Sequence, residues 1–208
     1  MTKKILRRYT QLPALFYMLS ERKLTLLDPN SWDDKNDSYF LEQYKAKRKL
    51  ETVLALCFSM AQETYHHWSV FADGSAGVCI QFKRDELIDA IKGDSAVRYG
   101  EVKYLTLDKI ESRKLKIKEL PFTKRYPYLH ESEWRIIFNS AKRRKQFHAI
   151  PIPVSSIRRI SLSPWLPDVF KEHVKNTIWS IKDCGKLEIV RSTLIGNERW
   201  KKAGEEAV

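Results

Sequence analysis

Residues 126–138 read Tyr-Pro-Tyr-Leu-His-Glu-Ser-Glu-Trp-Arg-Ile-Ile-Phe, and no other stretch limits the fold as tightly. As a strand, its period-2 alternation puts Trp134, Ile136 and Phe138 on one face, with Glu131, Glu133 and Arg135 on the other. The first face is large and apolar, so it must be covered by a core. The second carries two carboxylates and a guanidinium in a row. Like charges about 7 Å apart raise one another's pKa, and a neighbouring Arg lowers it again. Such a row is either the solvated outer face of an edge strand or a site that does chemistry.

Around this segment the pattern is that of an α+β protein. Strands are expected at residues 5–10, 23–27, 52–59, 78–82, 97–105, 133–138, 147–152, 157–162 and 187–190. Helices are expected at 12–20, 39–50, 85–91 and 169–181, the last with Phe170, Val174, Ile178 and Ile181 at three- and four-residue spacing. The basic turn 142–145 is expected to join two strands as a hairpin. There is no regular βαβ rhythm, so the expectation is a mixed, largely antiparallel sheet with flanking helices. The polar run 33–38 reads as a turn, and residues 108–124 are basic and ambiguous. The 208 residues make a single domain, 1–208, with a polar tail from about 195.

The formal net charge is +12. Cations gather at residues 45–49, at Arg113, Lys114, Lys116 and Lys118, and at Lys142, Arg143, Arg144 and Lys145. A polyanionic partner fits this balance, nucleic acid first, although a solvated surface carries the same composition. No apolar run approaches a membrane span, and no apolar region follows the basic N-terminal residues as in a secretory signal. Cys57, Cys79 and Cys184 have no metal-type spacing and are expected as buried thiols, which suits a reducing cytoplasm.

Several familiar sites are missing. No Gly-rich phosphate loop and no nucleophile-elbow motif occur, and adjacent His66 and His67 make a poor metal pair. No metal is expected. Asp33, Asp34, Asn36 and Asp37 form an oxygen-rich run that reads as a turn or, with the Glu pair, as a Mg²⁺-dependent nuclease site. A cleft gathered from Arg8, the Trp68-Ser69 element and the late Glu residues suits a dinucleotide: Arg for pyrophosphate, an aromatic for stacking, Glu for a ribose hydroxyl. Taken singly, these residues also read as a surface cation, a core aromatic and a helix cap.

Tyr9, Lys23-Leu24-Thr25-Leu26, Asn36-Asp37, Cys57-Phe58-Ser59, the block from Trp68 to Phe82 and Glu131-Ser132-Glu133-Trp134-Arg135 follow one another in an order that resembles the DUF2971 family of bacterial and phage proteins. Where that family usually has Pro after Asn-Asp, this chain has Ser38. A second likeness carries more chemistry. Arg8-Tyr9-Thr10 with the helix behind it, and Glu131-x-Glu133, resemble ADP-ribosyltransferases of the DNA-modifying toxin type. That type has His in the first strand, where Arg8 or Tyr9 stands here, and a clear Ser-Thr-Ser strand motif is absent.

The second resemblance implies an NAD-dependent ADP-ribosyltransferase, a toxin or anti-phage effector acting on nucleic acid or protein. Arg8, Tyr9 and Thr10 would contact NAD; the cleft reading adds Trp68 and Ser69 to that cofactor site, and Arg135, on the same strand face, would help keep the catalytic carboxylate ionised. Glu133 would be catalytic, and Glu131 would orient the acceptor. The basic residues at 113–118 and 142–145 would recruit a nucleic-acid acceptor. The other expectations are a non-catalytic module that binds nucleic acid or a protein partner, and the nuclease.

Overall fold

The computed structural model of the chain describes residues 5–72 and 74–207; Asp73, within the Trp68–Phe82 block, and the first four residues lie outside the described residues. The chain begins with β1 (Ile5–Gln11), α1 (Leu12–Glu21) and β2 (Lys23–Leu27). Pro13 starts α1, and Arg22 ends it in the left-handed conformation (φ 57°). A 3-10 turn at Pro29–Ser31 precedes α2 (Lys35–Lys47), β3 (Thr52–Ser59), α3 (Tyr65–Phe71), β4 (Gly77–Lys83) and α4 (Arg84–Ile91). Then come β5 (Val97–Glu101), β6 (Lys103–Leu105), α5 (Leu107–Glu111) and β7 (Thr123–Arg125), with a 3-10 turn at Ile117–Phe122. A further 3-10 segment, Tyr126–Glu131, leads into β8 (Glu133–Ser140). The rest is β9 (Phe147–Pro151), β10 (Ile157–Leu162), α6 (Asp168–Ser180), β11 (Ile189–Arg191) and α7 (Glu198–Glu205). No helix among the described residues is long and apolar enough to cross a membrane.

The expected class is what the chain adopts: an α+β fold on a mixed, largely antiparallel sheet. The path through the main sheet is β11-β10-β4-β1-β3-β2-β9, and β8 and β5 follow β3 on its other side. All its pairings are antiparallel except β10 with β11. Parallel β6 and β7 form a small second sheet.

Four local expectations are corrected. Residues 97–105 form two strands in different sheets, not one. Residues 142–145 do not close a hairpin, because both edges of β8 are taken, by β3 and β5, so β9 crosses to pair with β2. Asn36, Asp37 and Ser38 are helical: Asp34 caps α2 by accepting from the backbone N–H groups of Asn36 and Asp37, which moves the helix start upstream. Strand geometry begins only at Glu133, since Ser132 sits at φ 45°, a left-handed turn that breaks the run after the 3-10 segment.

One sheet face is buried under α1, α4 and α6, with Leu6, Leu56, Phe58, Ile80, Phe82 and Trp134 among its core side chains. The other face carries two separate clusters. Leu41 and Tyr44 of α2 cover Val53, Ala55 and Ile137, while Trp68 of α3 covers Tyr9 and Cys79. Where α3 leads into β4, Gly77 has no room for a side chain: an added Cβ would lie 1.9 Å from the Ala72 carbonyl oxygen. Gly77→Ala is therefore expected to cost about 1–3 kcal/mol or more as the backbone is pushed apart, read as a lower urea midpoint.

A candidate active site in the gap of the sheet

β8 pairs with β3 along its whole length, from Thr52↔Ser140 to Ser59↔Glu133. The other edge of β3 is shared. β1 meets it only at Arg7↔Ser59 and β2 only at Leu27↔Ala55. Between these two bridges the strands part, and a cavity of about 510 Å³ opens there. Its walls include residues 55–59 of β3, Arg8 and Tyr9 of β1, Leu27 of β2, Trp32 and Asp34 before α2, and Phe71 of α3, with Lys124, Tyr128, Glu131 and Glu133 beside them. The volume lies in the range of small-molecule sites.

Beside the cavity lies a buried charge cluster. Arg135 is fully buried on β8. Its Nε donates to Glu133 Oε1 (2.5 Å), its Nη2 to Glu133 Oε2 (2.8 Å), and its Nη1 to Asp37 Oδ1 (2.8 Å) and the Pro121 carbonyl (3.1 Å); Nη2 also reaches Asp37 Oδ2. Trp32 stacks on the guanidinium, 5.1 Å from the ring centroid. Lys124 Nζ donates to Glu131 Oε2 at 2.6 Å and to Glu133 Oε2 at 3.5 Å. Three carboxyl groups, those of Asp37, Glu131 and Glu133, thus share the two cations Arg135 and Lys124, and a further cation, Arg8, lines the same cavity.

The environments divide the carboxyl groups. Burial would raise Glu133, but Arg135, Lys124 and the Cys57 thiol together hold it down at about 2. Burial raises Glu131, and Lys124 only partly offsets that. Burial also raises Asp37 against the pull of Arg135. For Lys124, burial is overcome by Glu133, Glu131 and Asp37, and its pKa rises. Pairs pushed apart in this way are how one site supplies both an ionised carboxylate and a proton acceptor.

The turn before β8 is held by a second network. Ser59 Oγ donates to the Glu131 carbonyl (2.7 Å) and lies 3.0 Å from His67 Nε2, and Thr64 Oγ1 lies 2.5 Å from His67 Nδ1. Since the Ser59 proton goes to the carbonyl, Nε2–H donates to Ser59, and in the neutral ring Nδ1 then accepts from Thr64. Burial lowers its pKa in the same sense. Tyr9 stacks on the His67 ring at 5.3 Å. The Glu133 backbone N–H donates to the Tyr104 hydroxyl (2.8 Å).

Glu131 and Glu133 both line the cavity, as do Arg8 and Tyr9. Arg8 Nη1 donates to the Cys57 carbonyl (3.1 Å), and among the described residues no carboxylate pairs with it. Thr10, Trp68, Ser69 and Arg135 are not in the wall. Thr10 pairs with Val78 in the sheet, and Trp68 is fully buried with Nε1 donating to Glu63 (2.6 Å). Ser69 is half-buried on α3. Arg135 acts through the carboxylates it orients. The charged face of β8 is covered by α2, and β8 is no edge strand.

The carboxylates of the nuclease reading, Asp33, Asp34, Asp37, Glu131 and Glu133, line one cavity. Asp34 caps α2, Asp37 is held by Arg135, and among the described residues no group of three or more His, Cys, Asp or Glu side chains could hold a metal ion. Lys124, Ser59 and His67 have no site role in the sequence reading. Lys124 sits in the ambiguous basic segment, Ser59 closes an apolar strand within the family pattern, and His67 counts only as half of a poor metal pair.

No curated protein matches the chain. Among solved structures, Thermus sp. 2.9 DarT in complex with NAD+ aligns at a TM-score of 0.48 and 10% identity over 92% of this chain and 96% of that one. The same protein in complex with ADP-ribosylated ssDNA aligns at 0.48 and 10% over 92% and 95%. Residues 67–136 match the family described as "Protein of unknown function (DUF2971)", a span that takes in Phe71, Lys124, Tyr128, Glu131 and Glu133 of the cavity wall and leaves out its β1, β2 and β3 residues.

Proposed function

We propose that this chain is an NAD-using ADP-ribosyltransferase whose dinucleotide lies in the gap between β1 and β2, with nucleic acid as the acceptor. The observation that carries the reading is Glu133, a buried carboxylate at the cavity wall held by Arg135 and Lys124. Breaking the nicotinamide–ribose bond expels neutral nicotinamide and leaves positive charge on the ribose. An ionised carboxylate already fixed beside it lowers that barrier without reorganisation. Glu133 has this form, held by Arg135 and Lys124.

The acceptor then bonds to the ribose carbon and loses a proton. Glu131, with its raised pKa, takes that proton. Arg8 offers guanidinium donors to the pyrophosphate. Among the described residues Asp34 Oδ2 is a buried acceptor with no hydrogen-bond partner, and it suits a ribose hydroxyl. Tyr128 and Phe71 supply ring faces at the wall. An NAD-consuming activity directed at nucleic acid fits a toxin or anti-phage effector.

NAD titration tests this directly. Ligand that binds only the folded state stabilises it by about 2.7 kcal/mol at a hundredfold excess over Kd. The wild type is expected to gain several degrees in Tm with NAD, and Arg8→Ala to gain much less. No shift at millimolar NAD overturns the reading.

A further inference from the structure

Two basic segments far apart in sequence meet at one end of the sheet. Thr52, the first residue of β3, ties them together. Its Oγ1 donates to the Arg143 carbonyl (2.6 Å) and accepts from the Lys145 backbone N–H (2.9 Å). Glu51 N–H donates to the Ser140 carbonyl (2.8 Å). Residues 45–49, at the end of α2, therefore lie beside residues 142–145. All of their cations but half-buried Lys45 are exposed, and among the described residues none has a carboxylate partner. Arg113 is paired with Glu119 at 2.9 Å, while Lys114, Lys116 and Lys118 are exposed and likewise have no carboxylate partner among the described residues.

Two further observations mark this end as a surface kept for a ligand. Lys49 occupies the left-handed position (φ 52°) of a closed helix terminus, with Lys49 N–H on the Ala46 carbonyl and Leu50 N–H on the Lys45 carbonyl. Glycine fits that position without strain, and a lysine there keeps a charge at a cost in stability. Next to the patch, Phe147 of β9 is 54% exposed and faces Leu27 of β2, which is 55% exposed and lines the cavity. An apolar step thus leads from the basic end to the cavity rim. Thr52 and Ala55 on β3 are about 10 Å apart along the strand.

We infer that a single-stranded nucleic acid docks its phosphates on residues 45–49 and 142–145 and stacks a base on Phe147 on its way to the cavity. Unpaired cations supply sequence-independent attraction, and an exposed ring face takes any base. The inference rests on nucleic acid being the acceptor. It assigns no such role to residues 113–118.

The test is fluorescence anisotropy with a labelled 20-nucleotide single-stranded DNA, without NAD, on the wild type and on Glu133→Gln, at several KCl concentrations. Binding by both is expected, with log K falling by about 0.7 per phosphate contact against log salt. Charge reversal of residues 142–145, or of 45–49, should weaken binding about tenfold or more and flatten the slope; reversal of Arg113, Lys114, Lys116 and Lys118 should change it less than about twofold. Phe147→Ala should weaken binding with the slope unchanged.

Lys49→Gly guards against misfolding: it should raise Tm while weakening binding. Unchanged affinity in both Lys49→Gly and Phe147→Ala overturns the proposal. So do equal losses from all three charge clusters, or capture by phosphatidylserine vesicles with no binding to the oligonucleotide. Because no NAD is present, failure here overturns the docking surface and leaves the transferase reading standing, whereas failure of the NAD titration with binding intact leaves a nucleic-acid-binding surface but removes its role as the path of an acceptor.

Discussion

Arg135→Met is expected to destabilise the protein by about 3–5 kcal/mol, because it strips the shared cation from two buried carboxylates. Asp37 is 2% exposed and Glu133 5%, so neither can recover its hydration by a small movement. Lys124 reaches both, at 3.8 Å and 3.5 Å, but it is already held at 2.6 Å by Glu131. Against a total stability of about 5–15 kcal/mol, the loss is a large fraction, visible as a lower urea midpoint. Arg135→Lys should rescue little, since one ammonium cannot bridge two carboxylates in the plane that a guanidinium fork spans.

Asp37→Asn is the informative contrast. It removes one of the three carboxylates and leaves Arg135 with Glu133 and Lys124 with Glu131, so it should cost far less than Arg135→Met. Equal costs, or an Arg135→Met variant as stable as the wild type, would sink the account of the cluster.

The pH dependence has a definite sign. Glu133 is held below its unfolded value, so its contribution is fully present above about pH 4.5 and is lost as pH falls toward its folded value of about 2. Glu131 and Asp37 are shifted upward by burial and oppose folding once ionised. Acidification therefore acts in opposite senses on the two kinds of group: protonation relieves Glu131 and Asp37 and removes the contribution of Glu133.

What the sequence disclosed follows the range of the interactions involved. The run Thr-Val-Leu-Ala-Leu-Cys-Phe-Ser announced β3 because both faces of that strand are covered, and the alternation in Glu133–Ser140 followed from one apolar and one charged face. The DUF2971 likeness was equally local, a matter of consecutive residues. The charge cluster was not. Asp37 and Arg135 are separated by 98 positions, and nothing near Asp37 distinguishes it from a turn residue until α2 is laid over β8.

Lys124 was hidden for the same reason, as one lysine in a basic segment whose partners are set by the β6–β7 pairing. The apparent hairpin at 142–145 failed because adjacency in sequence says nothing about edges already occupied. The gap between β1 and β2 is a property of the whole sheet, legible only once both strands are seen to touch β3 at single points.

Glu133→Gln is expected to lower kcat for NAD turnover by about 10²–10³ while KM for NAD moves little, since the lost charge matters most when the ribose becomes cationic. The fold should survive the change. The amide keeps the shape, Arg135 retains Asp37, and Lys124 retains Glu131 at 2.6 Å. Glu131→Gln should behave differently: transfer to the acceptor falls, while release of nicotinamide to water persists. In the wild type, the acid limb of kcat for transfer should lie above the ordinary carboxylate range, because burial raises Glu131. That limb should disappear in Glu131→Gln. If Glu133→Gln turned over NAD at the wild-type rate, the carboxylate held by Arg135 and Lys124 would be a structural anchor, and the ionised group facing the ribose would have to be Glu131.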